Sequence, residues 1–300
     1  MHFKKNLLLA LLLIVVSIAH GQSDIFLSQQ WFSRINMNPA ATGTSNNVNI
    51  FLLSRQQWVG FDNAPKTNIL NAHTYFNSIQ SGLGLSLLFD KLGVSHQTVN
   101  AMLSYAYHLD LNSEMRLSFG LAGGMFNSSW DPLRNTFSEN TIIDVDLERT
   151  SRLSPDFNAG MELNAFGINF GGSVTHLLTS SPTNFKPGRE IYSYLRYRTA
   201  LNRDYDIAPG IIYRYGNNIH FFDINVMGYY KKNYWIGFSF RPVHSFAAML
   251  GVEFNKFRIG YSYDRSIGVL SSLAVNSHEI MLSVRLAKPQ QGRPTTRFLD

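Results

Sequence analysis

The feature that most constrains how this chain can fold is an alternation of apolar residues with small or polar ones. It recurs in segments of about ten residues separated by turn residues. In one segment Leu117, Phe119 and Leu121 alternate with Ser118 and Gly120. Because successive side chains of a β-strand point to opposite faces, each segment has one apolar face and one small or polar face. The pattern predicts an all-β protein whose apolar strand faces meet either a partner sheet or lipid.

The number of segments favours a membrane barrel over a soluble sandwich. About fourteen can be counted, and an even number is typical of single-chain bacterial outer-membrane barrels. They begin near residues 47, 67, 81, 96, 114, 155, 166, 190, 206, 218, 233, 245, 256 and 277.

Loop lengths point the same way. The even-numbered connections are short, whereas the three longest, over 127–154, 178–189 and 264–277, are all odd-numbered. Outer-membrane barrels have short periplasmic turns and longer extracellular loops, but a sandwich has no reason to sort its loops in this way. We therefore predict a closed antiparallel transmembrane β-barrel of about fourteen strands over 47–287, with the long loops outside the cell.

The start of the chain predicts export. Lys4 and Lys5 precede an apolar run from Leu7 to Ala19, and Ala19-His20-Gly21 resembles a cleavage site. A charged region, a short apolar region and small residues in this order are typical of a secretory signal peptide. We predict a signal peptide over 1–21 and an outer-membrane location for the mature chain.

Composition agrees with this class of protein. Charged residues make up only 15% of the chain, and the mean hydropathy is -0.09, as expected when an apolar lipid face and a polar lumen are averaged. There is no cysteine, so stability must come from strand closure and packing. The formal net charge is +6, but without the basic clusters and aromatic motifs of nucleic-acid binding proteins, so no nucleic-acid partner is predicted.

Several tyrosines lie toward segment ends, where a ring can sit in hydrocarbon with its hydroxyl at the lipid headgroups. The alternative is that they are ordinary residues of high β-propensity. We expect an aromatic girdle formed by Tyr105, Tyr107, Tyr213, Tyr215, Tyr229, Tyr230, Tyr261 and Tyr263.

A segment over 22–46 precedes the first strand and is not required by a barrel. Pro39 fixes its own φ and biases Asn38 away from helix, while Gly43 can adopt a positive φ. The run from Asn38 to Gly43 therefore predicts a rigid corner that leads the segment into the wall. We expect the segment to form a plug in the lumen or to follow the periplasmic rim. Its aromatic and corner residues either serve structure alone or form a docking surface for a periplasmic partner: Trp31, Phe32, Asn38, Pro39 and Gly43.

Three motifs in this order resemble the PorP/SprF family. They are Asn38-Pro39-Ala40 followed by Gly43, then Gln57-Trp58-Val59-Gly60, then Ala64-Pro65-Lys66-Thr67. The resemblance implies an outer-membrane barrel associated with the type IX secretion system and gliding motility. It implies a non-enzymatic component that helps a surface protein to be exported or attached. The implied partners are outer-membrane lipid, periplasmic ring and peptidoglycan-associated proteins of that system, and a secreted surface protein.

The connection after the first strand is a second candidate interface. Trp58 and Phe61 are large apolar groups beside Gly60 and Pro65, a composition enriched at protein interfaces. Alternatively, Trp58 anchors the membrane interface. The polar tail over 288–300 contains Pro289 and is predicted to lie beyond the wall.

No motif predicts catalysis. The histidines lack zinc-ligand spacing, and Gly82-Leu83-Gly84 lacks the third glycine and following helix of a dinucleotide site. We predict no catalytic, cofactor or metal site and no enzyme activity.

A general porin or solute channel is the alternative function, because seven arginines could line the lumen and favour anions in an open path. They are Arg116, Arg196, Arg198, Arg214, Arg241, Arg258 and Arg285. If the arginines instead pair across strands and hold the wall closed, their partners are Asp223, Glu253, Asp264 and Glu279.

Overall fold

A computed structural model of the chain describes residues 27–45, 47–131, 149–178, 188–267 and 276–287. The predicted signal peptide over 1–21 and the predicted tail over 288–300 lie outside these residues. Within the described ranges, no helix has the length and apolar character needed to cross a membrane.

The described chain is built almost entirely of β-strands. Their bounds are β1 (Val48–Gln56), β2 (Lys66–Phe76), β3 (Ser81–Leu92), β4 (His96–Asn112), β5 (Met115–Trp130), β6 (Thr150–Ala165), β7 (Ile168–Thr175), β8 (Glu190–Tyr197), β9 (Thr199–Ala200), β10 (Tyr205–Gly216), β11 (Ile219–Tyr230), β12 (Tyr234–Arg241), β13 (Ser245–Phe254), β14 (Phe257–Ser266) and β15 (Asn276–Leu286).

The strands form one closed antiparallel ring. The ring closes because β15 pairs with β1 and β10 pairs with both β8 and β11. The two-residue β9 continues the line of β8, since both pair with β10. The wall therefore has fourteen strands, which confirms the predicted barrel.

The predicted strand starts agree with the observed ones within two residues, except at β6. That strand begins at Thr150 rather than near 155, because β5 and β6 form a hairpin with 16 residues in each strand. A transmembrane strand needs only about 9 to 11 residues, so this hairpin extends beyond the hydrocarbon. The residues Thr150-Ser151-Arg152 need no apolar face there, and the alternation that would mark a strand is missing.

The two ends of the barrel differ in their connections. We call one end the turn end, where the connections include 77–80, 113–114, 166–167, 231–233 and 255–256. The opposite end is the loop end, where the connections include 57–65, 131–149, 176–189 and 267–275. The predicted segregation of long loops is therefore present, and our prediction remains that the loop end faces the cell exterior.

The two faces of the wall match the alternation. Phe119, Ile259 and Ile280 point outward and are 44%, 52% and 60% exposed, whereas Ser118 and Glu279 on the inner face are fully buried. An outer face of exposed apolar side chains is suited to lipid. The buried inner face means that the lumen is filled.

The filling is supplied by the N-terminal part of the described chain. We call residues 27–45 the lumen segment; it contains three short 3-10 helices, Gln30–Phe32, Arg34–Asn36 and Pro39–Ala41. Ser28 at its start contacts residues near the loop end, and Gly43 near its finish contacts Gly82 at the turn end. The lumen segment therefore runs through the barrel from the loop end to the turn end before β1 returns along the wall.

Candidate functional site

A cluster of buried charges surrounds the start of the lumen segment. We call it the loop-end cluster; its members are Ser28, Arg55, Asp223, Arg241, Asp264 and Glu279. Arg55 Nη1 lies 2.7 Å from Asp264 Oδ2 and 2.6 Å from Glu279 Oε1. Arg241 Nε lies 2.8 Å from Asp223 Oδ2, and its Nη1 lies 3.1 Å from Asp264 Oδ2. Each arginine therefore bridges two carboxylates on different strands.

The lumen segment is hydrogen-bonded into this cluster through Ser28 and Gln29. Their backbone N–H groups donate to the two carboxylate oxygens of Glu279 at 2.8 and 3.1 Å. The Ser28 hydroxyl donates to Asp264 at 2.7 Å and accepts from Arg241 Nη2 at 2.7 Å. Hydrogen bonds to ionised groups are stronger than neutral ones, so the cluster holds the start of the segment against the wall.

Asn38 positions the middle of the lumen segment. Its extended backbone, with φ -145°, is the conformation that the following proline favours. Its Oδ1 accepts from the Ala40 N–H at 2.9 Å, which caps the third 3-10 helix. Its Nδ2 donates to the Met161 carbonyl at 2.8 Å and to the Tyr194 hydroxyl at 3.1 Å. One buried amide thus joins the segment to β6 and β8.

Glycines on the wall allow the corner to approach closely. A Cβ atom on Gly120 would lie 2.1 Å from the Ala40 nitrogen, and one on Gly82 would lie 2.1 Å from the Thr42 carbonyl oxygen. Gly43 has φ +73°, as predicted for the corner. Its N–H donates to His73 Nδ1 at 3.0 Å. The Asn-Pro-Ala…Gly motif therefore packs backbone against backbone on the inner wall.

The turn-end half of the lumen contains a small cavity beside the ion pair of Arg34 with Glu162. We call it the turn-end cavity; it has a volume of about 60 Å³, and its lining includes Trp31, Arg34, Arg196, Tyr229, Arg258 and Arg285. The prediction of an aromatic girdle is wrong for Tyr229, which is 6% exposed and points into the lumen. There its hydroxyl accepts a hydrogen bond from Arg196 Nη2.

The predicted pairing of arginines with acids holds for Arg241, Arg258 and Arg285, whereas Arg196 bonds Tyr229 instead. Asp223, Asp264 and Glu279 bind Arg55 and Arg241 in the loop-end cluster. At the turn end, both Arg258 and Arg285 pair with Glu253, the former at 2.8 Å.

The predicted interface residues fall into two separate places. Trp31, Asn38, Pro39 and Gly43 are buried in the lumen and Phe32 is half-buried there, with its ring 5.0 Å from that of Trp235. The others belong to the loop over 57–65, where Pro65 is buried, Trp58 is half-buried, and Gly60 and Phe61 are exposed.

The loop over 57–65 is folded onto the wall. Gln57 N–H donates to the Pro65 carbonyl at 3.0 Å, and Val59 N–H donates to the Asn276 carbonyl of β15 at 2.9 Å. Phe61 is 48% exposed and Val59 is 43% exposed, so this held loop presents apolar side chains at the loop end.

Sequence reasoning did not identify Ser28 or Gly120 as parts of a site. The partners of Ser28, Asp264 and Glu279, follow it by 236 and 251 residues, so no local pattern indicates them. One feature of the sequence could have indicated Gly120: it lies among small residues on the inner face of its strand. Among the described residues, no group of three or more His, Cys, Asp or Glu side chains is placed to hold a metal ion.

Comparisons with known proteins agree with this architecture. The family model of the type IX secretion system membrane protein PorP/SprF matches residues 19–284. No curated protein matches the chain.

Two solved structures share the fold at very low sequence identity. The Ralstonia pickettii toluene transporter TbuX is similar with a TM-score of 0.52 at 10% identity, covering 84% of this chain and 93% of that one. The Acinetobacter baumannii outer membrane protein Omp33 is similar with a TM-score of 0.50 at 7% identity, covering 80% of this chain and 99% of that one. These likenesses concern the outer-membrane barrel fold.

Proposed function

Because the chain belongs to the PorP/SprF family of type IX secretion system membrane proteins, we propose that it is a non-enzymatic component of that system. In this role it supports the export or surface attachment of a partner protein from its place in the outer membrane. The observation that carries the proposal, beyond the family, is the filled lumen.

A filled lumen favours this function over that of a general porin. The lumen segment buries Trp31 and Asn38 inside the ring, and its start is held by Glu279 and Asp264. Removing it would expose buried carboxylates and arginines that are now paired, which is costly. A solute channel needs an open path, so a plugged barrel is better suited to act as a rigid anchor for other proteins.

The outer partner is proposed to bind at the loop end. Val59 and Phe61 expose apolar surface on a loop that hydrogen bonds hold to β15. An anchor that is already ordered loses little conformational entropy on binding. We place the secreted surface protein here.

Periplasmic partners are proposed to bind at the turn end. Short turns offer little surface, so the half-buried residues Thr44 and Ser45 after the corner and the tail over 288–300 are the proposed contacts for ring and peptidoglycan-associated proteins. Trp31 and Phe32 would act on such partners indirectly, by holding the lumen segment in place.

The test is a comparison of the surface proteomes of the wild type and a deletion strain. We expect bulk secretion to continue while one large surface protein is lost from the cell exterior. Purified protein in planar bilayers should show no stable conductance. An unchanged surface proteome combined with impaired small-solute uptake would contradict the proposal and favour the channel.

A further inference from the structure

Arg196 in β8 is a buried cation with no carboxylate partner among the described residues. Arg196 is 6% exposed and lines the turn-end cavity. Nη2 donates to the Tyr229 hydroxyl and lies 3.7 Å from Met227 Sδ, while Nε has no hydrogen-bond partner. A buried charge is costly unless it is paired and its hydrogen bonds are satisfied.

The surroundings of Arg196 compensate its charge only in part. Its guanidinium lies 5.3 Å from the ring centroid of Trp31, a cation–π contact. Such a contact leaves the in-plane N–H donors unused, and a guanidinium has five of them. At least one donor therefore remains for another acceptor.

Further arginines converge on the same cavity. Arg34, Arg258 and Arg285 also line it. Arg34 pairs with Glu162 at 3.0 Å, and Arg258 and Arg285 share the single carboxylate of Glu253. In the loop-end cluster, by contrast, two arginines meet three carboxylates. At the turn-end cavity, Arg196 is thus the arginine that has no carboxylate partner among the described residues.

The cavity has the size and access for a small ligand. Its volume is about 60 Å³, whereas a single water needs roughly 10 to 15 Å³ of such space. It therefore accommodates a few waters or one ion with several oxygen atoms. Arg285 has a side chain that is 24% exposed, so the cavity is reached from the turn end.

We propose that the turn-end cavity binds a small tetrahedral oxyanion of the phosphate or sulfate class, with Arg196 as its central donor. The planar fork of a guanidinium matches the oxygen atoms of such an anion, and charge-assisted hydrogen bonds satisfy its free N–H groups. Arg285 stands at the mouth and guides the anion inward.

The test is calorimetric titration of the purified full chain in detergent with sodium phosphate and sodium sulfate, against sodium chloride at matched ionic strength. We expect saturable binding of phosphate or sulfate beyond any effect of chloride. Arg196→Gln should weaken that affinity by about tenfold or more, and Arg196→Lys by less. Arg203→Gln, in an exposed turn at the same end, is the matched control and should bind like wild type.

Folding of each variant is checked by heat-modifiable migration. Should Arg196→Gln not fold, Arg285→Gln provides the second variant, because Glu253 remains paired with Arg258 when Arg285 is removed. It should also weaken phosphate binding. Absence of saturable phosphate and sulfate binding to the wild type would overturn the proposal, as would unchanged affinity in the folded arginine variants. Binding of acetate in place of the tetrahedral anions would overturn the assigned class.

Discussion

The two halves of the lumen hold their arginines in different ways. In the loop-end cluster, Arg55 and Arg241 each bridge two carboxylates, and Ser28 of the lumen segment is bonded between them. In the turn-end half, Arg258 and Arg285 share one carboxylate and a cavity lies beside them. The difference teaches that a closed network of charges fastens the start of the segment, whereas the turn-end half, where Arg34 pairs with Glu162, leaves Arg196 without a carboxylate among the described residues.

The largest expected effect comes from breaking the loop-end cluster. Arg55→Met would leave Asp264 and Glu279 short of a buried partner, and removing one member of a buried pair costs about 3 to 5 kcal/mol. We expect a lower urea midpoint in detergent and an ion conductance that the wild type lacks, because the start of the lumen segment is released.

The matched change at the turn end is Arg285→Met. Glu253 keeps Arg258, and Arg285 is partly exposed, so we expect a loss of about 1 kcal/mol or less and no new conductance. Equal losses for the two variants would remove the contrast between the halves.

The next prediction concerns the outer, lipid-facing side of the barrel wall. Phe119→Arg places a charge on the lipid face and should destabilise the barrel by about 2 to 4 kcal/mol if it lies near the bilayer midplane. Heat-modifiable migration after refolding into lipid measures the loss. Phe119→Leu keeps the face apolar and should fold like wild type; a folded, stable Arg variant would argue against lipid at this position.

A smaller effect is expected where the segment meets the wall between the two halves. Gly120→Ala places a methyl group 2.1 Å from the Ala40 nitrogen and should cost about 1 to 3 kcal/mol, because backbone must move. The readout is the urea midpoint together with conductance. Gly172→Ala is the control, since its nearest neighbour is 3.7 Å away. Equal behaviour of the two would mean that the corner can shift freely.

The smallest expected effect on stability lies outside the lumen, at the loop over 57–65. Phe61→Ser changes an exposed side chain, so stability should stay within about 0.5 kcal/mol of wild type. Display of the surface partner should nevertheless fall, measured by labelling whole cells. Phe166→Ser removes a ring at the turn end that is 61% exposed, against 48% for Phe61, and should leave display intact. Loss of display in both variants, or in neither, would contradict the proposed outer interface.

Much of the wall could be predicted from the sequence because strand alternation is a local property. Leu117 and Phe119 mark one face and Ser118 the other without reference to any other strand. The strand prediction failed at the polar start of β6, where alternation is absent. The girdle prediction failed because alternation alone did not separate lipid-facing tyrosines from lumen-facing ones. Tyr229 and Tyr230 are neighbours in sequence, but only Tyr229 points inward to Arg196.

The candidate sites could be predicted only in fragments. The corner at Asn38 to Gly43 follows from the local properties of proline and glycine. Asn38 has the expected extended backbone, and Gly43 has the expected positive φ. The partners of that corner, Gly82 and Gly120, are identified only when the wall is closed around it.

The sequence by itself determined the barrel, its strand faces, the corner and the resemblance to its family. Each of these depends on short patterns of neighbouring residues and not on contacts with distant parts of the chain. Only the tertiary structure decided that residues 27–45 fill the lumen, that Ser28 joins Asp264, and that Arg196 lies buried with no carboxylate partner in the described part of the chain. The physical reason is that closure of the ring brings inward-pointing side chains from distant strands around one segment. Which arginine then meets a carboxylate depends on distances in three dimensions and not on separation along the chain.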